Sequence, residues 1–487
     1  MKMRDTKNRV PKWKVGLAVV LSLLLLPQSV VFAGGPLVVG GPTFGLSGTP
    51  LLWDNSTPIG YRVDGGPLSQ KPNGGPEVIA NVAGVTRVNS LFGKWAAVRT
   101  ANLSFSSLAG GILPVGSFTG PDVKSAQDFL AVQGDLSGLN PPDPASCGGG
   151  GQSPIIFDAD GTIFDALGLP PEVIGFAFLC DLNPTTGKIV SAGAVLNGRF
   201  QDGINDPSSN NFELTAAEFD EAFTHEFGHF LGLGHSQINI QVLEKLIAGQ
   251  TNACSNDEAA GMPLMFPILG VCPAKTSIGL PILAPDDLAW ISKLYPQPTT
   301  SSGKQSFASA YGTVTGTVFF SDGITPAQGV NIIARNVNSP TANAVSAVSG
   351  FKFTANPGQT VTCQDPKNPT PQTCSNLGDL TGSRDPSLIG NFEIPLPPGT
   401  WTLSVESVFA QFTGGSSLTP LDPPIPIPGT FTPTRIGITA GGQQIFNITL
   451  QGTPQRFDAF ESAELIVHDS LWLWQRREDL LAIAVAR

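Results

Sequence analysis

Residues 225–235, HEFGHFLGLGH, are the stretch that decides the fold. The chain has four histidines, and three of them, His225, His229 and His235, stand within these eleven residues. Positions i and i+4 of a helix share a face, so the first two can present their imidazoles to one metal ion. Gly232 permits the helix to stop, so that the third can approach the same ion. Three histidines leave the fourth tetrahedral position of Zn²⁺ open for water, as in catalytic zinc sites.

Glu226 follows the first histidine directly and is the natural general base of such a site. Zinc lowers the pKa of a bound water to about 7, and a neighbouring carboxylate can take its proton and pass it to a leaving amine. A lone HExxH is a modest signal, because such five-residue matches occur by chance in buried helices. The extension to Gly232 and His235 makes the motif far more specific.

The residues before the histidines predict the helix that carries them. Thr215 and Glu218 have the spacing of a capping box. The face behind this cap is aromatic up to Gly232, where a left-handed residue can end the helix. The aromatic residues are Phe219, Phe223, Phe227 and Phe230.

Residues 51–296 resemble the metzincins, and within them the matrixins, which are matrix-metalloproteinase-like zinc peptidases. The resemblance rests on HExxHxxGxxHS at 225–236, PLMFP at 263–267, and 283–296, which begins LAPDDL and ends LYP. It implies a metzincin-type catalytic domain with a twisted mixed sheet and an active-site helix. It also implies that Met265 lies in a Met-turn beneath the zinc as a hydrophobic floor, without being a ligand.

The same resemblance assigns substrate binding to two segments. Residues 174–179, with Ala177 among them, would form an edge strand that receives an extended peptide. An edge strand offers unpaired N–H and C=O groups, so it binds a peptide backbone without demanding a sequence. Pro267 and Ile268 would form the wall of the pocket for the side chain that follows the cleaved bond.

Three features depart from the matrixin pattern. Thirty residues separate His235 from Met265, more than the family's short link, and a helix is predicted among them at Ile240–Ile247. No cysteine precedes Cys147, so the family's cysteine-bearing inhibitory propeptide is not expected. The remaining histidine is His468, so ligands for the second, structural zinc of animal matrixins are not expected either.

The length of 487 residues favours two domains. Residues 297–305 are a polar Ser/Thr linker, and few contacts are expected to cross it because the pattern changes completely on its far side. The predicted divisions are a signal peptide at 1–33, a flexible arm at 34–50, the zinc peptidase domain at 51–296, the linker at 297–305, a β-sandwich at 306–455, and a C-terminal tail, with a helix as one option, at 456–487.

Short β-branched and aromatic segments separated by Gly and Pro predict all-β structure after the linker. Residues 312–318, with GNF at 390–392 and LPPGTW at 396–401, resemble the carboxypeptidase-regulatory-like β-sandwich. That resemblance implies that this domain serves packing or binding more than catalysis. The expected fold class is therefore α+β, a metzincin-type catalytic domain followed by an all-β sandwich.

Composition and charge exclude several classes of protein. Gly 56 and Pro 43 interrupt the chain too often for an all-α fold. With 13% charged and 41% hydrophobic residues, the chain is not a charge-rich disordered protein. Beyond residue 33 it carries 21 basic and 37 acidic side chains, a net charge of −16. Such a charge repels phosphates, so no nucleic-acid partner is expected.

The leader predicts export. A basic stretch to Lys14, an apolar run at 15–26 and Val31-Phe32-Ala33 have the pattern of a signal peptide cleaved after Ala33. Twelve apolar residues are too few to cross a bilayer, so no stable membrane insertion is expected after cleavage. The mature chain is expected to be a secreted or extracellular monomer, with a periplasmic or cell-surface location left open.

Six cysteines, an even number, fit an oxidising compartment. Fifteen connectivities are possible, and local pairing is the simplest. The expected bridges are Cys147–Cys180, Cys254–Cys272 and Cys363–Cys374. A Ca²⁺ site remains an alternative to surface turns for one acidic segment, although it does not complete an EF-hand loop. Its carboxylates are Asp158, Asp160 and Asp165.

The expected function is a zinc-dependent endopeptidase that hydrolyses peptide bonds in protein or peptide substrates, with a zinc-bound water and Glu226 as general base and acid. The alternative from another class is a secreted binding or adhesion protein. There the zinc domain would be catalytically idle and the sandwich would carry the function. Glu226 favours the enzyme, because metal ligation alone does not need it.

Overall fold

The computed structural model describes residues 34–41, 46–133, 152–169, 171–183, 185–205, 213–247, 250, 254–353, 361–365, 368–374, 382–406, 429–452, 472–473 and 475–476. For 361–365, 368–374, 472–473 and 475–476 only the backbone is described. The predicted signal peptide, 1–33, lies outside this part of the chain.

Strands and helices alternate in the first half, whereas the second half is almost entirely β. The strands are β1 Leu52–Trp53, β2 Ile59–Val63, β3 Ser69–Gln70, β4 Glu77–Ile79, β5 Phe105–Leu108, β6 Pro154–Asp158, β7 Gly175–Asn183, β8 Lys188–Asn197, β9 Ile268–Leu269, β10 Gly312–Phe319, β11 Asn331–Asn336, β12 Ala344–Val348, β13 Val361–Asp365, β14 Asn368–Cys374, β15 Asn391–Leu396, β16 Gly399–Glu406, β17 Thr434–Ile438, β18 Gln443–Ile445, β19 Ile448–Thr449, β20 Trp472–Leu473 and β21 Gln475–Arg476. The helices are α1 Asn81–Ala96, α2 Ala126–Gln133, α3 Thr162–Leu167, α4 Ala216–Phe230, α5 Ile240–Ile247, α6 Asn256–Gly261, α7 Pro285–Leu294 and α8 Phe307–Ala310. The helix expected at Ile240–Ile247 is confirmed as α5.

A mixed sheet of seven strands organises the first half, in the order β20-β7-β8-β6-β2-β5 with β1 beside β8. Strands β8, β6, β2 and β5 run parallel to one another. Strand β7 runs antiparallel to β8 and lies outside the parallel block. The α+β class expected from the sequence is confirmed at this level.

Helix α4 lies against this sheet and carries two of the three clustered histidines. The predicted capping box is present, since the side chains of Thr215 and Glu218 satisfy each other's backbone N–H groups. The helix stops before Gly232, whose φ of 84° is left-handed as predicted. Phe227 stacks on Phe92 of α1 with ring centroids 4.0 Å apart. Burial of such aromatic faces stabilises the helix far more than its intrinsic propensity does.

The second half consists mainly of two four-stranded sheets, with orders β15-β10-β18 and β12-β11-β16-β17 and with β19 beside β10. Val314 and Ile394 of the first sheet and Ile332 and Trp401 of the second are fully buried in one core. The sheets therefore pack as a sandwich. Strand β18 ends at Ile445 and β19 begins at Ile448. Between them, the Asn447 side chain accepts a hydrogen bond from the backbone of Thr317.

The expectation that few contacts cross the linker is wrong. Trp290 of α7 donates from Nε1 to the carbonyl of Ser346 on β12, at 2.7 Å. The backbone N–H of Ser346 donates to Asp286 Oδ1 at 2.9 Å. Lys293 pairs with Glu393 across the same boundary. Buried residues of both halves belong to one continuous core, which linker composition cannot reveal.

The linker itself is held in place along α1. The N–H groups of Gln297 and Gln305 donate to the carbonyls of Thr100 and Arg99. Lys304 Nζ donates to three carbonyl oxygens that end or follow the helix, those of Ala96, Val98 and Ala101.

The segment 34–50, expected to be a flexible arm, is packed over its described residues. Leu37 and Val39 are completely buried. Leu37 N–H donates to the carbonyl of Gly232, and Gly234 N–H donates to that of Gly35. Apolar burial and backbone pairing therefore outweigh the Gly and Pro content on which the expectation rested.

The expected Cys254–Cys272 bridge is confirmed. Cys180 is also disulfide-bonded, but its expected partner, Cys147, and the side chains of Cys363 and Cys374 lie outside the described part. The tail, for which a helix was one option, forms short strands at 472–473 and 475–476. Its backbone pairs with β7 and β9, which a helix could not do. Within the described residues, no helix has the length and apolar character needed to cross a membrane.

Candidate metal centre

The C-terminal part of α4 is fixed from outside the helix. Trp53 donates from Nε1 to the carbonyl of Phe230 at 2.7 Å, and the hydroxyl of Tyr295 donates to that of Leu231 at 2.7 Å. These carbonyls end the helix and have no intrahelical donor, so two buried side chains satisfy them. The chain then reverses at Gly232 and returns His235 towards the helix.

The three histidines converge as the sequence predicts. His229 Nε2 and His235 Nε2 lie 3.2 Å apart. Two nitrogens about 2.0–2.1 Å from a tetrahedral ion are separated by about 3.3 Å, so this spacing fits Zn²⁺. One ligand atom from each of the three rings lies within 4.8 Å of the others, and within the described residues no other group of His, Cys, Asp or Glu meets this description. The cluster can therefore hold a metal ion.

Backbone carbonyls select the ring tautomers of two of these histidines. His225 Nδ1 lies 2.8 Å from the carbonyl oxygen of Leu264, and His229 Nδ1 lies 2.8 Å from that of Leu233. A carbonyl can only accept, so each Nδ1 must carry the hydrogen and each Nε2 keeps a lone pair directed at the centre. This is the hydrogen-bonding pattern of metal-bound histidine.

Burial keeps these imidazoles neutral. It lowers the pKa of His225 to about 4, against a smaller opposing effect of the hydrogen bond to Leu264. Burial also lowers the pKa of His229 well below its usual value, with additional contributions from the neighbouring His225 and His235. Metal ligation requires neutral imidazole, so the environment favours the binding form before any ion arrives.

Glu226 is completely buried beside the cluster. Burial raises the pKa of its carboxyl well above the usual value, and the N–H of Ala177 partly offsets this. That N–H lies near the carboxylate without a well-formed hydrogen bond, since neither oxygen has a partner within the described residues. Buried acceptors of this kind are rare and are usually completed by an ion, water or ligand.

Met265 lies against the same helix, as the resemblance implies. A side chain at Gly228 would collide with Met265 Sδ, so the glycine permits a close approach between the positions of His225 and His229. The carbonyl of Met265 accepts a hydrogen bond from the N–H of Ser236, directly after the third histidine. The methionine turn thus contacts both the helix and the loop that carry the cluster.

Asp287 holds this turn, a role that the sequence analysis missed. Its buried carboxylate accepts hydrogen bonds from the N–H groups of Leu264, Met265 and Ala284, at 2.8, 3.1 and 2.7 Å. The carbonyl of Leu264 in turn orients His225, so Asp287 acts on the cluster through one peptide unit. The sequence showed an acidic residue in the first turn of α7, which explains only the bond to Ala284.

The residues expected to bind substrate lie on two sides of the cluster. Ala177 belongs to β7, and its N–H faces Glu226. Pro267 and Ile268 follow Met265 and are buried, with Ile268 beginning β9. Both strands are paired with the tail, at Ala177 with β20 and at Ile268 with β21.

The acidic segment considered for calcium does not form a comparable cluster. Asp158 is buried and accepts a hydrogen bond from the N–H of Phe164 in α3. Asp165 pairs with Arg199, and Asp160 accepts from the N–H of Thr162. Within the described residues these carboxylates bind the protein's own groups. Asp158 and Asp160 are buried, so the expected surface position is wrong for them, whereas Asp165 is exposed.

No family model matches the chain, and no curated protein matches it. Solved structures with a partial match include BcpA, the major pilin subunit of Bacillus cereus, at 9% identity over 29% of this chain and 31% of that chain, with a TM-score of 0.14. A variant of the same subunit matches at 11% identity over 30% of each chain, with a TM-score of 0.14. A leucine-rich repeat protein from Bacteroides thetaiotaomicron matches at 12% identity over 30% of this chain and 12% of that chain, also at 0.14. The chain therefore spans less than a third of each, and likenesses this weak carry no argument.

Proposed function

We propose that this chain is a zinc-dependent endopeptidase whose first half is a matrixin-like metzincin domain. The observation that carries the proposal is the geometry of three buried imidazoles beside a buried carboxylate. Nitrogen atoms 3.2 Å apart and two carbonyl-directed Nδ1 groups suit a tetrahedral ion. Glu226 adds the base that ligation alone would not require. The Cys254–Cys272 disulfide supports an oxidising location outside the cytoplasm.

The chemistry divides among a few groups. Zinc, when bound, supplies a Lewis acid that polarises the scissile carbonyl and increases the acidity of water. His225, His229 and His235 hold it with neutral nitrogens. Glu226 takes a proton from the attacking water at a carboxylate oxygen and returns it to the leaving amine.

The substrate in this proposal is an extended peptide. Strand β7 offers its outer backbone edge close to Glu226 and binds the residues before the cleaved bond. Pro267 and Ile268, at the start of β9, contact the residue that follows it. Backbone pairing on both sides places the bond in front of the cluster with little demand on sequence.

The test is zinc content and peptide turnover in the chain from residue 34 onwards. We expect about one zinc per chain by elemental mass spectrometry, and chelator-sensitive cleavage of a peptide library read by mass spectrometry. His235→Ala should abolish both, because it removes one of three ligands. The matched control is His468→Ala, which should retain zinc. Zinc binding without cleavage of any peptide would favour the alternative, a binding protein with an idle zinc domain.

A further inference from the structure

The C-terminal tail reaches the groove between β7 and β9. Strand β20 runs antiparallel to β7, with Trp472 opposite Ala177 and Leu473 opposite Phe176. Strand β21 then runs parallel to β9, with Gln475 opposite Ile268 and Arg476 opposite Leu269. A single residue separates the two tail strands in sequence. One short segment therefore pairs with both walls of the groove in succession.

These walls flank the metal centre. The N–H of Ala177 on β7 faces Glu226. Strand β9 starts three residues after Met265, whose sulfur lies against Gly228 between two histidine positions. Both strands that pair with the tail therefore adjoin parts of the metal centre.

The tail follows the order expected of a substrate. In the proposed function, residues before the cleaved bond pair with β7, and the residue after it contacts Ile268. The tail pairs with β7 first and with β9 second, so its polarity is that of a bound peptide.

We propose that the tail strands 472–473 and 475–476 occupy the peptide groove as an internal, substrate-like segment that competes with peptide substrates. The inference rests on the proposed function of the same site. Each tail strand has only two residues, so its intrinsic affinity for the groove is low. A covalent tether compensates, because it raises the local concentration of the segment to the order of millimolar. Displacement of the tail then opens the groove.

A full-length chain with Leu473→Pro and Gln475→Pro tests this occupancy. Proline has no N–H and cannot continue either pairing. The matched control carries Ala482→Pro and Ala484→Pro, outside the paired residues. Both are made with Glu226→Gln, so that a bound peptide is not hydrolysed. The probe is a fluorescein-labelled synthetic peptide with the sequence of residues 468–480, followed by fluorescence anisotropy.

We expect the Leu473→Pro/Gln475→Pro chain to bind the labelled peptide at least about tenfold more tightly than the control, since the tethered competitor has left the groove. Hydrogen exchange across Gly175–Asn183 should accelerate in the same variant and not in the control. This second readout needs neither zinc nor turnover. Equal binding and equal exchange in the two proteins would overturn the inference.

Turnover separates this inference from the proposed function. With Glu226 restored and zinc loaded, hydrolysis of a library peptide should rise about tenfold in the Leu473→Pro/Gln475→Pro chain. If binding and exchange change but neither protein cleaves any peptide, the tail occupies the groove and the peptidase proposal fails. If both cleave equally and neither binding nor exchange changes, the peptidase proposal stands and the tail does not inhibit.

Discussion

Helix α4 carries two buried glutamates little more than one turn apart, and their carboxylates differ in hydrogen bonding. Glu221 accepts a hydrogen bond from the backbone N–H of Lys275, whose own ammonium donates to the carbonyls of Ala259 and Met262. Glu226 has no hydrogen-bond partner on either oxygen within the described residues. A buried charge whose hydrogen bonds the protein itself supplies stabilises the fold, whereas one with open acceptors needs a water, an ion or a ligand to complete them.

The pKa values of both carboxyls reflect this difference. Burial raises the pKa of Glu221 to about 7, and the N–H and positive charge of Lys275 limit the rise. Burial raises the pKa of Glu226 well above its usual value, and only the N–H of Ala177 opposes it. The same helix therefore carries one carboxylate that the protein satisfies and a second with open acceptors, which the proposed function makes the reactive one.

The largest expected effect comes from Glu226→Gln, which tests the reactive half of the comparison. Turnover should fall by about 10²–10⁴-fold, because the base that moves the proton is gone. Zinc content should stay at the parental level, since Glu226 is not a ligand in the proposed site. The measurement is peptide hydrolysis at equal zinc loading. Glu221→Gln is the matched control and should hydrolyse near the parental rate; equal rates for all three proteins would contradict the assignment.

Asp287→Asn should weaken zinc binding by about 10–100-fold, because the backbone that orients His225 loses a charged acceptor. Competition with a chromogenic chelator measures this change. Asp257→Asn, at an exposed position in α6, is the control and should bind zinc like the parent. Parental affinity in Asp287→Asn would show that the methionine turn does not need this carboxylate to position the histidine.

Glu221→Ala tests the structural half. It should lower the free energy of unfolding by about 1–3 kcal/mol, because the N–H of Lys275 and its buried ammonium lose an acceptor and a counter-charge. Urea denaturation followed by tryptophan fluorescence gives the value. Glu77→Ala, on the exposed surface of β4, should change it by less than about 0.5 kcal/mol. A change of that small size for Glu221→Ala would mean that the contacts of Glu221 contribute nothing measurable to the free energy of unfolding.

The smallest expected effect concerns Glu393, a partly buried carboxylate with two partners. Burial alone would raise its pKa, but Lys352 and Lys293 more than offset this, and the net pKa lies below the usual 4.5. A lowered folded-state pKa contributes stability above the unfolded value, and this contribution disappears as pH falls through the folded pKa. The parent should therefore exceed Glu393→Gln in unfolding free energy at pH 6. The difference should shrink as the pH drops below about 4.5.

Urea denaturation of both proteins at pH 6, 4.5 and 3 measures that difference. Asp257→Asn is a control at an exposed carboxylate outside the Lys293–Glu393 contact. A gap between parent and Glu393→Gln that stays constant across this range would show that the ion pair with Lys293 does not join the two halves.

Local signals in the sequence were sufficient to predict the secondary structure around the histidine cluster. The capping box at Thr215 and Glu218, the left-handed Gly232 and the histidine spacing each depend on residues within one or two turns of each other. For this reason the helix, its end and the convergence of the three histidines could be predicted. The disulfide between Cys254 and Cys272 is similarly local.

Long-range contacts explain what the sequence could not show. Asp287 lies 23 residues from Leu264, and nothing in either segment indicates that a carboxylate will meet two N–H groups there. Leu37 appears in a Gly- and Pro-rich segment, and its burial depends on a loop almost two hundred residues away. The tail pairing at Ala177 is still more distant in sequence. Tertiary packing, not composition, decides these positions.

The connection at 297–305 has a consequence for the lifetime of the molecule. A protease must draw a flexible stretch of backbone into its own groove before it can cut, and exposed loops that are not tied down are its usual targets. Here the N–H groups of Gln297 and Gln305 donate to carbonyls just after α1, and Lys304, next to Gln305, donates to three more carbonyls, so both ends of the linker are tied down. Cleavage near either end must wait for these contacts to open. The two halves should therefore persist in solution together and be degraded together, rather than being separated by cleavage into two modules.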